Sequence, residues 1–183
     1  MTYNIANIEK LLDKSEVLTL LCTRTTTHWS FIKFCFQIPL VFTSSAMCII
    51  NSITLDANEV KIPNIIINAI SVLIISINNN VRASEKYELF KKLSKSFMFL
   101  SAEIESNDNM TAEQYHIIML KYENLITELP FEDIPMKIKT NVSKSFTDVN
   151  RSVPVQMNGI IDNHGIKKRQ SGNNSIEISS EMV

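Results

Sequence analysis

Two long apolar stretches, residues 34–55 and 62–81, constrain the fold of this chain more than any other feature, and only the short polar hinge 56–61 separates them. Each stretch has about 20 residues, which at about 1.5 Å per helical residue crosses a hydrocarbon core of about 30 Å. Neither stretch contains an Asp, Glu, Lys or Arg. A charge at the centre of a spanning helix costs roughly 2.5–3.5 kcal/mol on insertion scales. We therefore predict a two-span membrane hairpin with antiparallel helices.

The alternative is a soluble all-α domain in which both stretches form buried core helices. Such helices need a shell of further helices, and the rest of the chain provides only thinly amphipathic ones. Only three glycines and five prolines occur in 183 residues, which favours helices over a sheet-rich fold. We expect an all-α membrane protein. The net charge of −1 gives no reason to expect a nucleic-acid partner.

Shorter helices are predicted on both sides of the hairpin. Apolar residues at three-to-four spacing predict an N-terminal helix over 5–22, which weakens at the threonines of 23–27. Similar patterns predict cytosolic helices over 82–105 and 111–129, the second opened by a capping box of Thr111 and Gln114, and a weak last helix from Met136 to about Val149. The polar segment 151–183 lacks periodicity and predicts a disordered tail behind a 1–150 domain.

One apolar seam in the helix after the second span is close to a heptad pattern. Its members, at spacings of four, four, three and four, are Leu89, Leu93, Phe97, Leu100 and Ile104. The seam covers barely two heptads, which is too short to establish a coiled coil by itself. It is long enough to pack against the N-terminal helix or against a neighbouring subunit, and Leu93 and Phe97 are the residues most expected to make these contacts.

The flanks of the two stretches predict the orientation of the hairpin. Trp29, Lys33 and Arg82 lie just outside the apolar residues, where aromatic and long basic side chains reach the headgroup layer. We interpret them as membrane-interface anchors. Basic residues are frequent before the first stretch and after the second, whereas the hinge has a single lysine beside two acidic residues. The positive-inside rule then predicts that both termini are cytosolic.

Uncharged polar residues recur every seven positions in both apolar stretches, which places each set on one side of its helix. They are Gln37, Ser44 and Asn51 in the first stretch and Asn64, Ser71 and Asn78 in the second, with Asn68 close to the same face. Because lipid offers no hydrogen-bond partners, these stripes are expected to face protein or water. Three interpretations remain: contacts between helices, the wall of a pore made by several hairpins, or no role.

No pattern in the sequence indicates an enzyme or a metal site. The three histidines, His28, His116 and His164, are far apart, and the cysteines show no C-x-x-C spacing. There is no H-E-x-x-H, no G-x-S-x-G and no phosphate-binding glycine loop. We therefore expect a non-enzymatic protein without a cofactor.

The order of these parts resembles the SLATT family, the two-transmembrane effector domains associated with nucleotide-sensing conflict systems. The features that match are the short N-terminal helix, His28-Trp29 and Lys33 before the first span, and the short loop 56–61. The second span ends in Asn-Asn-Asn-Val-Arg (78–82), and a charged helix follows with Glu-Lys-Tyr-Glu-Leu (85–89). The resemblance covers about residues 5–130. The isoleucine and asparagine bias suits an AT-rich genome, such as those of the large DNA viruses in which versions of the family also occur.

The resemblance implies an oligomeric, pore-forming or membrane-perturbing effector whose cytosolic helices couple the spans to a sensor protein. This chain departs from the multi-domain bacterial arrangement because it shows no fused nucleotide-binding or sensor domain. The alternative function is a structural or scaffolding membrane protein that recruits partners through its cytosolic helices. Expected partners are the lipid bilayer, further copies of the chain and a cytosolic sensor.

Overall fold

The computed structural model describes residues 5–53, 57–107, 110–147, 151–154 and 157. About 90% of the structure is helical and no strand occurs among the described residues, so the all-α prediction is confirmed. The elements in chain order are α1 (Ile5–Ile53), α2 (Ala57–Val81), α3 (Ala83–Glu105), α4 (Ala112–Glu128), a 3-10 turn (Phe131–Asp133) and α5 (Met136–Thr147). They form two compact units. The apolar unit comprises residues 22–93, and the polar unit comprises residues 1–21 and 94–183.

Helix α1 is a single helix, which corrects the prediction of a separate N-terminal helix ending near residue 22. The β-branched segment stays helical because packing buries residues there, among them Cys22, and tertiary burial overrides weak helix propensity. Its threonine hydroxyls bond within the helix. Thr26 Oγ1 donates to the Cys22 carbonyl at 2.8 Å, and Thr27 Oγ1 donates to the Thr23 carbonyl at 3.2 Å. These bonds to the preceding turn let threonine satisfy its hydroxyl without leaving the helix. The same helix continues through Pro39.

The hinge between the apolar stretches is shorter than the predicted 56–61. Helix α2 already begins at Ala57, so Lys61 and the four residues before it are helical. Residues 54–56, which include the rest of the predicted hinge, lie outside the described residues.

The junction between α2 and α3 is a single residue, Arg82, with a φ of +50°. Backbone hydrogen bonds flank it: Arg82 N donates to the Asn78 carbonyl at 2.9 Å, and Lys86 N donates to the Arg82 carbonyl at 3.1 Å. The left-handed conformation costs a non-glycine residue roughly 1–2 kcal/mol. The predicted helix over 82–105 therefore begins one residue later, at Ala83.

Helices α1 and α2 are both long and apolar enough, by length and composition, to cross a membrane. None of the residues in their most apolar windows is buried. The buried side chains of the apolar unit lie instead near the start of its α1 segment and in α3: Cys22, Thr25, Trp29, Ala83, Phe90 and Leu93. The soluble alternative, in which both apolar stretches form a buried core, is not what the structure shows.

The polar unit has its own apolar core. Its fully or almost fully buried residues include Leu18, Leu21, Phe97, Leu100, Ile104, Met110, Ile118, Tyr122, Ile134, Val142 and Met157. The rings of Phe97 and Tyr122 meet edge to face, with centroids 6.4 Å apart. Ser15 Oγ on α1 and Ser101 Oγ on α3 share a hydrogen bond of 2.7 Å. Contacts between α1, α3 and α4 therefore close this unit within one chain.

The predicted seam is largely buried. Leu93 and Phe97 have no exposed surface, Leu100 and Ile104 are 2–3% exposed, and Leu89 is half-buried. Because Leu93 and Phe97 are completely buried within one chain, these two side chains fill the protein's own interior. That outcome favours intrachain packing over the contact with a neighbouring subunit.

The capping box that the sequence predicts before α4 is confirmed. Thr111 Oγ1 accepts from the Gln114 backbone N–H at 3.3 Å, and Gln114 Oε1 accepts from the Thr111 N–H at 2.9 Å. Two of the N–H groups that a helix start leaves unpaired are thereby satisfied.

Several residues after position 150 pack against the polar unit. Arg151 forms ion pairs with Glu16 and Asp13 of α1, and Pro154 and Met157 are buried. The tail predicted from residue 151 thus has its first residues packed on the unit. The rest of that predicted segment lies outside the described residues.

Candidate functional site

The polar stripes of the two apolar helices are the main candidate site, and most of their side chains are accessible. Gln37, Ser44, Asn51 and Asn68 are exposed, whereas Asn64, Ser71 and Asn78 are half-buried. Ser71 Oγ donates to the Ile67 carbonyl at 2.9 Å, so its hydroxyl proton is satisfied within α2. The accessible amides are the members of the stripes that remain able to meet water or another helix.

One pair joins the two stripes directly. Asn64 Nδ2 of α2 donates to Asn51 Oδ1 of α1 at 3.1 Å. Such a bond between helices in lipid is worth about 0.6 kcal/mol on average and at most about 2 kcal/mol. Among the described residues, the buried Asn64 Oδ1 has no hydrogen-bond partner. A carboxamide oxygen in an apolar setting needs a donor, and lipid cannot provide one.

The predicted interface residue Trp29 is buried, with only 9% of its surface exposed. The Lys86 ammonium lies 4.7 Å from its ring centroid, and the His28 ring meets it nearly perpendicularly at 5.6 Å. A headgroup anchor requires an exposed ring, so this burial disfavours the predicted role. Trp29 instead packs between α1 and α3 with a cation over its face.

The other two predicted anchors differ from each other. Lys33 is half-buried, with its Nζ 4.9 Å from the Tyr87 ring centroid. Arg82 is exposed, and its guanidinium lies 3.8 Å from a carboxylate oxygen of Glu85 in the next turn. Both residues lie next to an end of an apolar stretch, and their interface role stays a prediction.

Ionisable groups with shifted pKa values occur outside the apolar stretches, and burial is the main cause in each. Burial raises the pKa of the Cys22 thiol to about 12 and also raises the pKa of the Tyr122 phenol. Desolvation lowers the pKa of Lys139, while the nearby Glu132 carboxylate opposes that change. A buried neutral thiol is a poor nucleophile, so Cys22 is a packing residue.

A groove of about 380 Å³ runs between α3 and α4 of the polar unit. Phe99, 67% exposed, and Leu125 form apolar walls. Lys121 Nζ donates to both carboxylate oxygens of Glu103, at 2.6 and 2.8 Å, along its edge. The ion pair leaves the groove electrically balanced, without a charge that would select a ligand.

No group of three or more His, Cys, Asp or Glu suited to a metal ion occurs in the described part of the chain. His28 contacts Trp29 and His116 is exposed, whereas His164 lies outside the described residues. The structure therefore does not bring His28 and His116 into a metal-binding group.

Sequence reasoning missed several contacts that the structure brings together. Tyr87 lies near two ammonium groups, those of Lys33 and of Lys91, the second at 5.2 Å from its centroid. The four-residue spacing of Tyr87 and Lys91 was a readable signal, because such residues are neighbours on a helix. The contacts of Arg151 with Glu16 and Asp13 join residues more than 130 positions apart, and no local pattern predicts them.

No known protein family, curated protein or solved structure matches this chain.

Proposed function

We propose that this protein is an integral membrane protein with a two-span hairpin, acting as an oligomeric membrane-perturbing effector. The observation that supports insertion is a contrast in burial. Leu18, Phe90 and Phe97 are completely buried, yet large apolar side chains along α1 and α2 are 44–71% exposed. Such an extended apolar surface on a soluble monomer would be unusual. A bilayer covers it without any further protein.

Contacts within the apolar unit support an antiparallel hairpin. Trp29 and Lys33 of α1 contact α3 just beyond the end of α2, through Lys86 and Tyr87. At the other end, Asn51 contacts Asn64 near the start of α2. These two contacts support a pairing in which residue numbers rise along α1 as they fall along α2, as in an antiparallel pair.

The effector role rests on the stripes and on the SLATT resemblance. One pair of helices cannot enclose a lumen, so a conducting path requires several hairpins. Exposed amides at Gln37 and Asn68 provide polar, uncharged groups that such an assembly turns towards water. The Asn64 oxygen, which has no partner among the described residues, would obtain a donor from water or from a second hairpin. In this proposal the polar unit is cytosolic, as are both termini, and it responds to a sensor protein.

A scaffolding role is the second candidate, and the bond between Asn51 and Asn64 favours it. That bond uses stripe amides inside the hairpin, where they stabilise the helix pair and line no pore. The α3–α4 groove would then be the surface that recruits partners.

Leakage from liposomes distinguishes the two functions. Wild-type protein reconstituted with a trapped dye or ion is expected to release it if the stripes line a path. The variant Asn51→Leu with Asn78→Leu should stay inserted but lose conductance, because apolar constrictions exclude water. Its control, Ser52→Leu with Asn79→Leu, changes the next residue of each helix and should still conduct.

Size measurement in detergent tests the assembly itself. A stable monomer would exclude a pore, since one hairpin cannot enclose a lumen. An oligomer that never releases the dye would support the scaffold.

A further inference from the structure

A shallow surface cavity in the apolar unit combines hydroxyl groups with apolar rings. It has a volume of about 430 Å³ and is lined by Thr26, Thr27, Ser30, Phe31, Phe34 and Tyr87. All six residues belong to the unit of residues 22–93. No residue of the predicted stripes or anchors lines this cavity, although the predicted anchor Lys33 lies close to it, beside Tyr87.

The walls of the cavity change from polar to apolar along α1. Hydroxyl groups come first, at Thr26, Thr27 and Ser30, and the exposed rings of Phe31 and Phe34 follow. Phe31 is 68% exposed and Phe34 is 55% exposed. From Thr26 to Phe34 the helix rises about 12 Å. That distance is enough to pass from the headgroup layer into the acyl chains.

Positive charge borders the polar part of the cavity. The Nζ atoms of Lys33 and Lys91 lie 4.9 and 5.2 Å from the ring centroid of Tyr87, a residue of the cavity wall. Both lysines are half-buried. Segments 22–33 and 82–93 together contain six basic residues and two acidic ones. Of the acidic pair, Glu85 contacts Arg82 and Glu88 is exposed.

We propose that this cavity binds the headgroup of an anionic phospholipid. The ammonium groups of Lys33 and Lys91 attract the phosphate, the Ser30 and Tyr87 hydroxyls are able to donate to its oxygens, and one acyl chain lies along Phe31 and Phe34. The continuity with exposed phenylalanines favours a lipid over a soluble phosphate, which would leave those rings uncovered. The site presupposes the membrane insertion proposed above and adds a preference for lipid charge.

The single tryptophan of the chain provides the measurement. Trp29 precedes Ser30 of the cavity wall, so lipids with brominated acyl chains bound there should quench its fluorescence. Wild-type protein is reconstituted in phosphatidylcholine vesicles containing brominated phosphatidylglycerol, and separately with brominated phosphatidylcholine. The ratio of the two quenching curves gives the preference for the anionic lipid.

The expected preference follows from charge. A lysine near an anionic surface contributes a factor of about five in binding. The variant Lys33→Gln with Lys91→Gln should therefore lower the preference roughly 5- to 30-fold. The control, Lys137→Gln with Lys144→Gln, removes two exposed charges from α5 and should keep the wild-type preference. Because glutamine could disturb the packing at Tyr87, Lys33→Arg with Lys91→Arg is measured too and should also keep the preference.

Three results would overturn the lipid site. One is a wild-type protein that floats with the vesicles but is quenched equally by both brominated lipids. Another is an equal loss of preference in the α5 control. The third is displacement of brominated phosphatidylglycerol by millimolar glycerol phosphate, which would assign the cavity to a soluble phosphate. If the wild-type protein does not float with vesicles, the proposed membrane insertion fails, and the lipid site with it.

Discussion

Replacing Phe97 by alanine is expected to destabilise the polar unit strongly. The Phe97 side chain has no exposed surface, and its ring meets that of Tyr122 edge to face at 6.4 Å. A buried aromatic side chain removes roughly 150–250 Å² from water, worth roughly 4–6 kcal/mol at about 25 cal/mol per Å². Alanine keeps part of that burial, so we expect a loss of about 3–5 kcal/mol. Total stabilities of domains are only about 5–15 kcal/mol.

Phe99 provides a matched control two residues further along the same helix. Its ring is 67% exposed, so Phe99→Ala removes the same atoms from a site that is already largely hydrated. Surface substitutions of this kind usually change the free energy of unfolding by less than about 0.5 kcal/mol. Both variants change helix propensity and side-chain volume equally, so a difference between their free energies of unfolding reports the effect of burial.

The measurement is urea unfolding of the full chain in detergent micelles, followed by circular dichroism. Phe97→Ala should shift the transition to lower urea, whereas Phe99→Ala should leave it nearly unchanged. Both variants should still float with vesicles, because insertion depends on the apolar stretches. Equal shifts for the two variants would refute the assignment of Phe97 to the core. If Phe97→Ala instead formed a smaller oligomer without losing stability, that result would support a contact of Phe97 with a neighbouring subunit.

Three further outcomes are expected. In a secretory-pathway membrane, the acceptors of N-x-[ST] sequences should remain unglycosylated if both termini are cytosolic, and modification of any one would reverse the orientation. These acceptors are Asn109, Asn141, Asn150 and Asn173. Truncation after Asn150 should lower the free energy of unfolding by roughly 2 kcal/mol or more, chiefly through the buried Met157, since the exposed Arg151 ion pairs contribute less than about 1 kcal/mol. Truncation after Met157 keeps these contacts and should lower it less; equal effects would exclude a packing role for Arg151, Pro154 and Met157. Burial raises the pKa of Cys22 to about 12, and only the thiolate reacts with maleimide. Cys22 should therefore resist maleimide at pH 8 until urea unfolds the chain. Rapid labelling of Cys22 in the folded protein would contradict its burial.

The raised pKa of Cys22 also makes the stability of the folded protein depend on pH. The folded value of about 12 lies above the ordinary value of 9.0, so the folded state favours the protonated thiol. The contribution of the protonated Cys22 thiol to the free energy of unfolding is complete below about pH 9 and decreases as the pH rises towards 12. Replacement of Cys22 by alanine should remove that part of the alkaline dependence.

Local patterns predicted much of the helical structure. The seam from Leu93 to Ile104 and the capping box at Thr111 depend on spacings of a few residues. The structure buries these seam residues and forms the capping box. The helix break near residue 22 was wrong because tertiary packing, which completely buries Cys22 and Thr25, overrides the low helix propensity of threonine. The predicted hinge was too long because its residues from Ala57 to Lys61 form the first turns of α2.

The sequence by itself determined that this chain is helical and that two of its helices are apolar enough to cross a membrane, because composition and helical periodicity are local properties. Tertiary structure decided which faces are used. It buried Trp29, which the sequence had placed at the lipid surface, and left the apolar windows of α1 and α2 uncovered. It also brought Arg151 to Glu16 and Lys33 to Tyr87. These outcomes depend on the angles and distances between helices. Contacts between residues distant in sequence determine those angles and distances, and such contacts form only when the chain packs.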